Sequence, residues 1–305
     1  MKISEHYSVH SPVPFADVDV ASDNRLFLDP HAIRLSGTPQ PFADEAIGAL
    51  DRFLLEIVRC VVSPDPAQRR RGERLLQHFK EPWETRFGLS AAGYFGHGGA
   101  DDIGARIWEG MADSLPALIE IGVLSRLEQL PLFIEGVGND ITSDITTRIT
   151  FAALARFTES VLADFPEFSR DGHHTKVFEC QVWNADSLAW DEQRFTLPVA
   201  DGRALLLVPR EWARATLLMS PRRYFEKTIL DFAQAETTVL GADGTVFKTN
   251  KDDLKKLDWL APGRGTNIRV TLEAHAKDED LIANFEAFVA SKFGTDDEGP
   301  EDLAA

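Results

Sequence analysis

Cysteine is nearly absent from this chain, with 2 in 305 residues, Cys60 and Cys180. That excludes a disulfide framework and any zinc site built on paired cysteines, and it points to a reducing, cytoplasmic setting. Long apolar runs are missing too. No stretch approaches the roughly 18 apolar residues that a spanning helix needs, so no membrane role is expected. The opening residues Met1-Lys-Ile-Ser-Glu-His-Tyr-Ser lack the apolar centre of a signal peptide. Basic residues are in deficit, 32 against 49 acidic, for a formal charge of −17. This balance opposes long-range attraction to nucleic acid or anionic lipid, so nucleic acid would require a local basic groove or a basic partner. Part of the excess is terminal: Asp296, Asp297, Glu298, Glu301 and Asp302 make residues 295–305 read as a disordered acidic tail.

What is present suffices for a large core, since 44% of the residues are hydrophobic. Residues 15–30 alternate around Ser22-Asp23-Asn24 and read as two short strands in a hairpin. Helical spacing of apolar residues predicts helices over 42–62, 67–79, 101–114, 115–129 and 140–164. After a turn-rich joint at 165–172 the character changes. Residues 175–183, 193–199 and 203–209 read as an antiparallel meander, followed by helices over 221–235 and 278–293 and a pair of short strands within 237–249. The expected fold is α+β: a helical first half with a small N-terminal β element, then a meander flanked by helices. The expected division is 1–165, mainly helical, and 166–294, α+β, unless both form one continuous domain.

The richest stretch is Phe133-Ile-Glu-Gly-Val-Gly-Asn-Asp-Ile-Thr-Ser-Asp-Ile-Thr-Thr-Arg148, a glycine turn feeding a polar helix start. Asp140, Asp144 and Thr147 fall at i, i+4 and i+7 on one helical face. With Glu135 across the turn, these carboxylates suit Mg2+ or Mn2+, and Ser143 lies between them to contact substrate. Helix capping and packing explain the same residues without a ligand, because early acidic residues favour a helix N-terminus. The Gly136-Val-Gly138 turn is no dinucleotide fingerprint, and no nucleotide cofactor is implied. A second constellation is Glu84-Thr-Arg86-Phe-Gly88 before a glycine-rich segment carrying His97. Glu84 is a candidate further catalytic carboxylate, and Arg86 and His97 are candidate substrate contacts. A surface ion pair and a solvent-facing histidine are the plainer alternatives.

Leu26-Phe-Leu-Asp-Pro30, Glu84-Thr-Arg-Phe-Gly88, the Gly136 to Thr147 motif and the Leu-Leu-Leu-Val-Pro-Arg run ending at Arg210 together resemble an uncharacterised bacterial family associated with mobile elements and antiviral defence loci. The resemblance implies a role in such a system without implying a mechanism; Arg148 stands where it leads one to expect a smaller polar residue. Two functions follow as expectations. One is a metal-dependent phosphodiester hydrolase of nuclease type, using Glu84, Asp140 and Asp144 for catalysis and Glu135, Asp140 and Asp144 for metal. The other is a noncatalytic subunit that binds a protein partner of the same system, with Trp183, Trp190 or Trp212 as anchors.

Overall fold

The computed structural model describes residues 1–293 apart from 11, 23, 78–81, 89–98, 241 and 244. Asp23 of the expected hairpin, His97 with most of its glycine-rich segment, and the acidic tail lie outside the described residues.

Everything is organised around one helix, Asn139–Asp164, in which 15 of 26 residues are buried. Burial on most faces explains why its apolar residues form no single stripe. A helix this polar enters a core only if its hydroxyls find partners, and here they bond backwards along their own helix. Thr146 Oγ1 donates to the Thr142 carbonyl (2.6 Å), Thr147 to Ser143 (2.8 Å), Thr150 to Thr146 (2.7 Å) and Thr158 to Leu154 (2.9 Å).

On one side of the central helix packs Phe42–Val61, as its spacing predicts, burying Ala46, Leu50, Phe53, Leu54 and Ile57. The meander packs against the central helix as well. Its strands β2 (Thr175–Asn184) and β3 (Ala189–Ala200) pair antiparallel, with Phe178 opposite Phe195 and Trp183 opposite Trp190. Side chains of β3 that face the helix, Phe195 and Leu197, are buried, as strand alternation requires. The third strand, β4, spans only Arg203–Ala204, because after the Leu205 amide bonds to Pro198 of β3 the chain leaves the sheet, and from Leu206 onward it bonds to other elements.

The expected N-terminal hairpin is not local. Phe27–Leu28 forms β1 and pairs with β5 (Ala213–Arg214), Phe15 bridges Pro209, and Lys2 bridges Asp19. Asp29 then caps the helix Pro30–Ser36, accepting from the amides of His31 (2.8 Å), Ala32 and, across the chain, Leu218 (2.7 Å). The expected helix over 115–129 is interrupted. It runs only over Pro116–Glu120, stops at Gly122 with φ +73, and resumes as a short turn at Leu127–Gln129.

The C-terminal part is a helical run from Pro221 to Glu236 containing one wide turn, then Arg264–His275 and Leu281–Lys292. The short hairpin of β6 (Val239–Leu240) and β7 (Val246–Phe247) lies between, where expected. A continuous hydrophobic core runs from Leu28 to Val289, and a smaller cluster gathers Ile3, Tyr7, Phe15 and Phe168. Among the described residues, no helix is long and apolar enough to cross a membrane.

Candidate functional site

The four sequence motifs, scattered from residue 26 to residue 210, meet on the central helix. The Leu28 amide donates to Ser143 Oγ (2.9 Å) and the Leu207 amide to Thr158 Oγ1 (3.0 Å), while the Leu206 amide donates to the Glu84 carbonyl (2.9 Å). Leu28, on the open edge of the two-stranded β1–β5 pair, and Leu207, beyond the end of β4, thus use helix hydroxyls as acceptors. The Glu84 carboxylate meets the Arg148 guanidinium (3.1 Å), with both residues buried, and Arg148 also lies over the Phe151 ring. Arg86 sits at φ +60 and donates to the carbonyls of Val20 (3.0 Å), Trp83 (2.7 Å) and Ala200 (3.5 Å). Burial, with Arg203 nearby, lowers its pKa from the usual arginine range.

These bonds give three candidate residues internal partners. Glu84 is held by Arg148, Ser143 accepts the Leu28 amide, and Arg86 is buried against three carbonyls instead of facing solvent. The tryptophans named as anchors pack inward too: Trp212 and Trp183 are buried, and Trp190 is half-buried against Phe53 with its indole N–H donating to the Leu75 carbonyl (3.0 Å). They are core residues, which corrects the expectation that they are exposed to a partner.

Two other candidates do face a concavity. Glu135 and Asp140 are exposed and line a cleft of about 1140 Å³ between the start of the central helix and the C-terminal helices. Asp144, half-buried, lies outside its lining. Gly136, at φ +78, makes the turn that presents them, and a Cβ there would come within 3.2 Å of Arg106 Nη1. Gly88, closing the second motif at φ +139, lies beside the Asp140 carboxylate. The opposite wall carries Arg222, Glu226, Lys255 and Arg264, and Arg25 stands at the near side. Arg222 and Lys255 share Glu226, at 3.4 and 3.8 Å, and Arg264 Nε donates to the Pro131 carbonyl (3.2 Å). Four cations against three carboxylates make this a locally basic place on an acidic protein. Among the described residues, no three or more His, Cys, Asp or Glu side chains gather where they could hold a metal ion.

A domain of unknown function, DUF8370, matches residues 7–220. The chain belongs to the DUF8370 family. All four motifs fall inside the DUF8370 match, and so does the central helix on which they converge. The matched segment ends just before the Pro221 helix, so the cleft has one wall from the DUF8370 region and one from the residues that follow it. Among curated proteins and solved structures, no match was found.

Arg222 stands at a basic helix start that the sequence shows, but the Arg264 part of the cationic wall was not read from the sequence. Arg264 and Asn267 belong to a helix whose buried positions are Asn267, Val270, Thr271 and Ala274, half of them polar, so apolar periodicity does not reveal it. A usable signal was the Pro262-Gly263 pair just before it, a turn signature from which a helix can start.

Proposed function

We propose that this DUF8370 protein is a noncatalytic, cytoplasmic regulatory subunit of a bacterial defence or mobile-element-linked system, and that it binds a protein partner through the hairpin of β6 and β7. One observation carries the reading. Val239, Leu240, Val246 and Phe247 are 62%, 70%, 51% and 60% exposed, a concentration of apolar side chains unlike the rest of the surface. Among the described residues each strand of the hairpin pairs only with the other, so both outer edges offer backbone groups to an added strand. The partner is a protein that contributes a strand with apolar side chains. A basic surrounding surface on it would complement the charge of −17. Supporting the same reading, the motif residues Glu84, Arg86 and Ser143 have internal partners that hold the fold.

The test is co-expression with the proteins encoded beside it, followed by sizing of the complex. Wild type is expected to yield a stoichiometric complex, and Phe247→Asp or Leu240→Asp to lose it with no change in melting temperature. A wild-type chain that stays alone, or a complex that both variants retain, contradicts the reading.

A second reading has its own observation, the pairing of Glu135 and Asp140 with four cations in one cleft. In it the chain is a phosphodiester hydrolase, with those carboxylates holding Mg2+ or Mn2+ and Arg25, Arg222 and Arg264 meeting the phosphate.

A further inference from the structure

The start of the chain is held by a ring cluster that neither the hairpin nor the cleft involves. Ile3–His6 forms one helical turn, and Tyr7 behind it packs on Phe168, in the joint between the central helix and the meander, at a centroid distance of 4.4 Å. Both rings are buried. Three rings close a triangle there: His6 lies 4.6 Å from Tyr7 and 4.9 Å from His173, and Tyr7 lies 4.8 Å from His173. Asp171 at φ +53 and Gly172 at φ +90 turn the joint back, which brings His173 to the pair.

The surroundings of this triangle disfavour added positive charge. Burial and then His173 hold the His6 imidazole below its usual 6.5, Asp201 pulls the other way, and the N-terminal amine adds to the lowering. Arg86 and Asp201 face the Tyr7 phenol, and Arg203 and Glu84 face Arg86. Of these acids Glu84 is committed to Arg148, and Asp201 stands on the exposed turn between β3 and β4. The acids nearer in the chain are engaged too: Glu5 accepts the Lys2 amide, Asp17 holds Ser4, and Asp19 holds the N-terminal amine. The Tyr7 hydroxyl is buried with no hydrogen-bond partner among the described residues, so the docked turn forgoes a bond that water gives the freed one.

We propose that His6 and His173 form a proton-operated latch, which holds residues 1–9 on the joint while both imidazoles are neutral and releases them, uncovering Phe168, when the pair takes up protons. A first proton sets a charge against a ring 4.9 Å away, and a second sets two like charges there. An ordinary imidazole gains its proton near pH 6.5, so the released segment binds protons more readily than the docked one. By linkage, docking is complete above about pH 6.5 and weakens as pH falls through the lower value that His6 has in place. The latch goes beyond the partner reading and does not depend on it.

Hydrogen exchange and imidazole titration are followed by NMR on the full chain from about pH 7.5 to about pH 5.5. The Ile3 amide bonds to the Val18 carbonyl (2.9 Å) and the Val20 amide to the Met1 carbonyl (3.1 Å), so both report docking, with Leu28 as the reference. Protection at Ile3 and Val20, corrected for the intrinsic pH dependence of exchange, is expected to fall about threefold or more, with its midpoint on the His6 ring titration, while Leu28 keeps its protection. His6→Gln and His173→Gln should each remove the fall. A variant already unprotected at the upper pH leaves the decision to the wild-type midpoint, which must coincide with the ring titration. Constant protection in wild type, a fall shared equally by Leu28, a midpoint displaced toward the carboxylate range near about pH 4, or a fall retained in both variants would each overturn the inference.

Discussion

Glu84 and Arg148, 64 residues apart in the chain, form an ion pair at 3.1 Å inside the protein. Neither has water to fall back on, so each is the condition for burying the other. The pair joins the Glu84-Thr-Arg-Phe-Gly88 motif to the helix that the Gly136 motif starts. The Ser143 and Thr158 hydroxyls do the same for the other two motifs. In this family member the recognisable sequence is the part that assembles the core.

The hydroxyl acceptors make a quantitative prediction. Ser143→Ala leaves the buried Leu28 amide without a partner, and Thr158→Ala does the same to Leu207. Each is expected to cost about 1–3 kcal/mol in urea unfolding, and to speed hydrogen exchange at the one amide it orphans. Unchanged exchange at Leu28 in Ser143→Ala would show that this bond does not hold β1.

Acid stability should depend on Glu128. Burial alone would raise its carboxyl, but His31 at 3.5 Å and Arg34 at 2.7 Å outweigh burial and bring it down to about 2 from the ordinary 4.5. A lowered carboxyl contributes stability that is present above its unfolded value and is lost as pH falls through the folded one. The contribution is roughly 3 kcal/mol, lost between about pH 4.5 and 2. Glu128→Gln should flatten the stability curve across that window. A slope identical to wild type would place the acid sensitivity elsewhere, with Asp51 on the far side of Arg34 the next group to test.

The hydrolase reading stands or falls on Asp140. Titrating Mg2+ and Mn2+ into wild type and Asp140→Ala, with heat and melting temperature followed together, should show saturable, stabilising binding to wild type only if the reading holds. Equal behaviour of the two proteins up to millimolar metal removes it. Cleavage of a phosphodiester by wild type and not by Asp140→Ala would instead move the account from subunit to enzyme.

How far the sequence could be read depended on where each residue's partner lies. Helix Phe42–Val61 shows an apolar stripe because one face meets solvent, and the start at Asn139 shows because a glycine turn precedes it. Leu28 and Phe15 were misread as local hairpin residues, since their partners lie near residue 210, beyond the reach of any turn rule. Glu135 and Asp140 were legible as exposed side chains because acids flanking a glycine turn at a helix start have a local signature, and both line the cleft. Arg86 has none that distinguishes a phosphate contact from a clamp on three carbonyls, and the tryptophans at 183, 190 and 212 look alike whether at an interface or in a core.

The most direct test of whether the motif residues build the protein is a double-mutant cycle on the ion pair. Unfolding free energies of Glu84→Gln, Arg148→Met and the double variant are measured beside co-purification of the partner. Each single variant is expected to lose about 3–5 kcal/mol, and the double variant less than the sum, because it leaves no charge stranded. Where the fold survives, the complex should survive with it. Single variants as stable as wild type that nonetheless lose function would contradict the account and return Glu84 to the chemistry.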